Sequence, residues 1–343
     1  MKKMPMRRHL FLALLTALPG IAQAQTRSEV PIRQVDLSDG ERRYAVMLKL
    51  GGTEIEAGLD SGSTGLRILP GVLQPGDAKG GGGSDHYAYG SGTEFVGETG
   101  KGLLTIGGAS GAISVQLIKT KQCVDRQPNC PASQIPMEQF GIQGSGIPGA
   151  GFKAIFGINM SDAEIDSPLS AIGVKRWIIE LPRAATETGR LILNPTDEEV
   201  TGYALLPIDG HGGGLHDAVK GCILNRTTKA NACGALTLDT GAPGISIIST
   251  GIGPAALPEG ASAALGFYDG RTARAMESFT VGARAHAAKL SFPMALGRRD
   301  TVIRSGLSAY FAFDVLYDSR NAKLGLKPRP PTGDSPTGTL APP

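Results

Sequence analysis

Long apolar runs are almost absent from this chain. Only Leu10 to Leu18 is mostly apolar, and it is too short to span a membrane, so no stable membrane insertion is expected. Basic runs are missing as well. The formal net charge is +3, several of the positives sit in the first eight residues, and nothing suggests nucleic acid as a partner. Helix-period stretches are few. No G-x-S-x-G occurs, which removes the nucleophile elbow of the serine hydrolases. The four cysteines match no zinc pattern and no histidine lies near enough in sequence to complete one, so no metal is expected. Of the five histidines, His9 falls in the N-terminal leader; His86, His211, His216 and His286 stand in polar or Gly-rich surroundings and read as surface residues. "GSGIPG" at 144–149 satisfies G-x-G-x-x-G, but Pro148 breaks the helix start that a dinucleotide site needs. It reads as a loop, and no cofactor is expected.

What remains is an exported β protein. Lys2, Lys3, Arg7 and Arg8 precede the apolar run, and Ala22-Gln23-Ala24 fits a small-x-small cleavage site, so residues 1–24 read as a secretory signal peptide. Arg7-Arg8 leaves open whether export is general or twin-arginine. Residues 328–343 are rich in Pro, Thr and Gly and read as a disordered tail. The 343-residue chain carries 49 glycines, with short alternating apolar runs between Gly-rich turns, which indicates an all-β class. In an exported chain Cys123 with Cys130 and Cys222 with Cys233 read as two local disulfides, with free buried thiols as the alternative. Asn159-Met160-Ser161 and Asn225-Arg226-Thr227 match glycosylation sequons, which matter only if the source glycosylates.

One stretch occurs twice. "LDSGSTGLRIL" begins at Leu59 and "LDTGAPGISII" at Leu238; aligned without a gap they share Leu, Asp, two Gly and an Ile, with Ser61/Thr240 and Leu66/Ile245 as close substitutions. An apolar strand precedes each Asp. A repeat at this spacing describes two similar units rather than a solenoid.

Asp-[Thr/Ser]-Gly-[Ser/Thr/Ala] after an apolar strand, once per unit, resembles the active-site signature of the pepsin-like aspartic endopeptidases. Tyr89-Gly90-Ser91-Gly92 is similar to the tip of that family's flap hairpin. Gln139 to Ile142, then "FKAIFGIN" ending at Asn159, resembles the strands leading to the apolar-apolar-Gly element beneath the first Asp. Residues 189–208 look like the crossing between lobes, and Gly306 with 311–326 like the closing strands. The resemblance implies two β-barrel-like lobes, about 26–197 and 198–327, with a cleft between them. It departs from the family at Arg67, where a Trp usually holds the flap Tyr, at Lys153-Ala154, and at Ile303-Arg304-Ser305, which is polar where an apolar pair normally precedes Gly306. Ala242 stands where a Ser or Thr is usual.

The implied chemistry is peptide hydrolysis by water. Two carboxylates at one site cannot both ionise cheaply, so Asp60 and Asp239 would hold one proton between them, one acting as base and the other as acid. Ser61 and Thr240 would bond across the units, Ser63 would donate to Asp60, and Gly62 and Gly241 would permit tight turns. Tyr89 would close over the substrate, with Tyr87 as its nearby rival. The expected partner is an extended polypeptide bound by a monomer, in the periplasm or outside the cell. The other reading is an inactive member of the same fold that binds a polypeptide or glycan.

Overall fold

The computed structural model describes residues 26–161, 163, 165–208, 217–294 and 300–330. The leader, His211, His216 and the tail beyond Pro330 lie outside them. The described chain is mostly β, in two sheets. No helix among the described residues is long and apolar enough to cross a membrane.

The larger sheet has 14 strands, 13 on its main path and Ser84–Ala88 paired beside it with Thr93–Ile106. Its central part is a mixed run: Arg42–Leu50, Thr53–Asp60, Ala154–Ile158, Thr64–Ile68, Ala109–Cys123 and Thr93–Ile106. An additional pairing of Arg42–Leu50 with Thr93–Ile106 turns this part back on itself and curls it as a half-barrel. The smaller sheet has seven strands, in the order Thr272–Thr280, Ser262–Asp269, Val219–Asn225, Asn231–Thr237, Thr301–Arg304, Ile245–Ile248 and Leu290–Ser291.

The repeated stretch is repeated in three dimensions. In the larger sheet Thr53–Asp60 pairs antiparallel with Arg42–Leu50 and parallel with Ala154–Ile158. Ala154–Ile158 then pairs antiparallel with Thr64–Ile68, which pairs parallel with Ala109–Cys123. In the smaller sheet Asn231–Thr237 pairs antiparallel with Val219–Asn225 and parallel with Thr301–Arg304. Thr301–Arg304 pairs antiparallel with Ile245–Ile248, and that strand pairs parallel with Leu290–Ser291. Order and direction agree strand for strand. In each copy a strand from far along the chain is inserted between the two strands that flank the Asp turn. The turn therefore cannot close as a simple hairpin and has to span the inserted strand.

The division at 197/198 does not separate the hydrogen-bonded sheets. Ala204–Pro207, Phe313–Asp318 and Lys323–Pro328 all join the larger sheet, through pairing of Phe313–Asp318 with Arg176–Glu180. One apolar core runs through both sheets, from Ile32, Leu59 and Trp177 to Leu236, Phe267 and Tyr317. Burial of these side chains supplies the main driving force for joining the two halves. Two disulfides, Cys123–Cys130 and Cys222–Cys233, lie one in each half and fit an oxidising extracellular or periplasmic environment.

Candidate active site

Apolar alternation fixes where each Asp falls. In Thr53–Asp60 the side chains of Ile55, Ala57 and Leu59 are buried in the core, and the strand then ends at Asp60. Leu236 and Leu238 play the same part before Asp239. The two turns meet at the junction of the halves. The Ser61 N–H donates to Thr240 Oγ1 at 3.0 Å, and the Thr240 N–H donates to Ser61 Oγ at 2.9 Å. Each hydroxyl passes its own proton on: Ser61 Oγ to the Leu238 carbonyl at 3.1 Å, and Thr240 Oγ1 to the Leu59 carbonyl at 2.9 Å. Both residues are buried, so these are hydrogen bonds without competing water.

This clasp presses the two carboxylates together. A Cβ on Gly62 would lie 2.4 Å from Asp239 Cγ, and one on Gly241 would lie 2.6 Å from Asp60 Oδ1. Neither glycine has positive φ. They are needed for close approach of the opposing carboxylate, and the turn itself makes no left-handed demand.

The two carboxyls differ in their donors. Asp60 accepts from the Gly62 N–H at 2.8 Å and from Ser63 Oγ at 2.7 Å. Asp239 accepts from the Gly241 N–H at 2.8 Å, and Ala242 offers no hydroxyl. Burial pushes both carboxyls above the usual carboxylate range. Asp239 is raised to about 7, by burial and then by the charge of Asp60, with Arg304 pulling the other way. Two buried carboxyls pressed together cannot both ionise cheaply, which favours one proton shared between them.

Beneath the turns lies a polar chain that sequence reading missed. Ser61 Oγ is 2.6 Å from the Tyr310 hydroxyl, which is 2.6 Å from the Tyr317 hydroxyl. Asn159 Nδ2 donates to the Ser61 carbonyl at 3.2 Å and also to the buried carboxyl of Asp217. Burial raises Asp217 to about 7. Asn159 and Asn225, expected as possible glycan acceptors, are 4% and 3% exposed. In the folded protein they serve as internal hydrogen-bonding residues.

Tyr89, Gly90, Ser91 and Gly92 form the tip of a hairpin between Ser84–Ala88 and Thr93–Ile106. The tip is closed by Tyr89 N–H to Thr93 carbonyl at 2.8 Å and Gly92 N–H to Tyr89 carbonyl at 2.9 Å. The Val124 N–H donates to the Gly92 carbonyl at 2.9 Å, which ties the tip to the Cys123–Cys130 loop. The Tyr89 ring packs edge-on to Tyr87 and Phe95, at 4.9 Å and 5.6 Å between centroids. Arg67 is buried behind them, its guanidinium carbon 3.4 Å from the centroid of the Tyr87 ring. The residue at position 67 thus supports Tyr87 directly.

The two carboxyls and the hairpin residues Tyr87 to Ser91 line one cavity of about 1150 Å³. Asp60 and Asp239 lie on its floor. Tyr87, Tyr89, Phe95, Phe140, Ile142 and Ile155 form one wall; Ala242, Ser246, Lys289, Met294, Val302 and Arg304 form the other. No cluster of three or more potential metal-ligating side chains occurs among the described residues. No family model matches this chain, and no curated protein matches it either.

Proposed function

We propose that this chain is an exported aspartic endopeptidase with a pepsin-like, two-lobed fold, and that Asp60 and Asp239 are its catalytic pair. The observation that carries this reading is the reciprocal Ser61–Thr240 clasp, which holds two carboxyls from two copies of one turn against each other at the cavity floor. The repeated strand order around each turn supports it as well.

In this reading an extended polypeptide lies along the cavity beneath the hairpin tip. The ionised carboxylate takes a proton from a water molecule, whose oxygen attacks the peptide carbonyl carbon. The protonated carboxyl donates to the carbonyl oxygen, giving a neutral tetrahedral diol. That intermediate collapses with cleavage of the C–N bond; the amine leaves with a proton from the pair, and a carboxyl group forms. No acyl-enzyme is made and no metal is required. Tyr89 and Tyr87 shield the reacting centre from bulk water.

The test is digestion of an unfolded protein from pH 3 to 8, with and without a chelator. Cleavage unaffected by chelation, with one oxygen from labelled water entering each new carboxyl terminus, is the expected result. Absence of cleavage at every pH would overturn the protease reading and favour a cleft that binds polypeptide without cutting it.

A further inference from the structure

Arg304 carries an inference about substrate. It ends the strand Thr301–Arg304, in which Ile303 faces the core while Val302 and Arg304 face the cavity, as strand alternation requires. Its place in the ladder is the counterpart of Ile155. Ile155 pairs with Gly58 and Arg67; Arg304 pairs with Thr237 and Ser246, the residues that align with those two in the repeat. The same position beside the dyad is therefore apolar in one wall and cationic in the other.

Among the described residues the part-buried guanidinium of Arg304 makes no hydrogen bond or ion pair, and the charge it acts on is that of Asp239 in the dyad. The other charges on the cavity wall do not offset it. Glu41 is neutralised by Arg43 at 2.6 Å and accepts a hydrogen bond from Ser145 Oγ at 2.8 Å. Arg126 and Lys289 are exposed at the rim, with no acidic partner among the described residues. Outside the dyad, the charges left unpaired on the described cavity wall are positive.

We propose that Arg304 selects an acidic side chain next to the scissile bond, so that the preferred substrate carries a large apolar residue on one side of that bond and Asp or Glu on the other. This rests on the endopeptidase reading above. An extended peptide sends successive side chains to opposite sides, so residues flanking a bond held over the dyad meet the two walls. The aromatic wall with Ile155 takes the apolar side chain. Arg304 meets the other, and a carboxylate there gains a charge-assisted hydrogen bond, whereas an apolar residue would leave the guanidinium desolvated and unpaired.

The experiment uses peptides with Phe on one side of the scissile bond and Glu, Gln or Leu on the other, made in both orders. Each is assayed for cleavage and, as an uncleavable reduced-amide analogue, for binding. In one order the wild type should prefer Glu over Gln by about tenfold or more in both kcat/KM and affinity. That preference should shrink with salt, fall to near unity in Arg304→Ile, and survive in part in Arg304→Lys. Cleavage with no Glu preference in either order would overturn this proposal and leave the protease reading standing. Arg304-dependent binding of the Glu analogue without any cleavage would sustain the proposal as one about binding and overturn the protease. Loss of the preference in Lys289→Ala rather than Arg304→Ile would overturn the assignment to Arg304. If Arg304→Ile fails to fold, Arg304→Lys and Lys289→Ala decide the assignment: a preference reduced in the first and kept in the second sustains it, and the reverse overturns it.

Discussion

The two Asp turns share their backbone and differ in their surroundings. Both have the same inserted strand, the same glycine against the opposing carboxylate, and one partner of the Ser61–Thr240 clasp. Around Asp60 the chain adds a second donor, Ser63, and an apolar neighbour, Ile155; around Asp239 it places Ala242 and Arg304. What is common is what two carboxyls need in order to meet. What differs bears on how tightly the shared proton is held and on what lies in the cavity.

The largest expected effect comes from breaking the common part. Thr240→Val removes the acceptor for the Ser61 N–H and leaves a buried donor unpaired, which costs about 1–3 kcal/mol. Because the dyad spacing depends on the clasp, we expect activity to fall by about a hundredfold, while denaturant titration shows only that modest loss of stability. Near-normal activity would mean that the clasp does not position the carboxyls.

The hairpin comes next. Tyr89→Ala should lower kcat by about tenfold or more, roughly 1.4 kcal/mol of barrier. It should also cost stability, because the ring is packed on Phe95. Tyr87→Ala should act mainly by freeing Arg67, whose guanidinium stacks on Tyr87. If Tyr87→Ala proves the more damaging to kcat, Tyr87 is the covering residue.

A smaller effect sharpens the difference between the turns. Ala242→Ser would give Asp239 the hydroxyl donor that Asp60 already has. A donor favours the ionised form, so the pH–rate profile should move towards acid, by roughly one unit or less in an open cavity. A profile that stays put, or moves towards alkali, would show that Ala242 does not tune the pair.

The smallest concerns buried carboxyls away from the dyad. Asp217 and Glu277 are each raised to about 7 by burial. A folded-state value above the unfolded one means the native protein binds more protons, so stability falls as pH rises from about 4 to 7. Asp217→Asn and Glu277→Gln should each flatten that fall in denaturant titrations. An unchanged slope would mean that neither group is held protonated.

Much of this site was legible in the sequence because it is written locally. Asp60 with Ser61-Gly62-Ser63, Asp239 with Thr240-Gly241, and the tip at 89–92 are short contiguous stretches, and each cysteine pair is close in sequence. The Asn159, Asp217, Tyr310 and Tyr317 chain was not legible, because its members come from three separated segments and nothing in the sequence says that these side chains meet. Arg67 looked only like a missing Trp; its stacking on Tyr87 depends on a hairpin that sequence does not place. Phe313–Asp318 looked like the end of the second half, yet it pairs with Arg176–Glu180 in the larger sheet. Alternation identifies a strand but not its partner.

The central claim is that the two turns make one catalytic unit, and a mutant cycle tests it most directly. Asp60→Asn, Asp239→Asn and the double variant would be compared in cleavage of the same peptide, with folding checked by circular dichroism. The account predicts that each single change lowers kcat/KM by about a thousandfold or more, and that the double variant is hardly worse than either. Substantial activity in one single variant, or losses that multiply in the double, would contradict it.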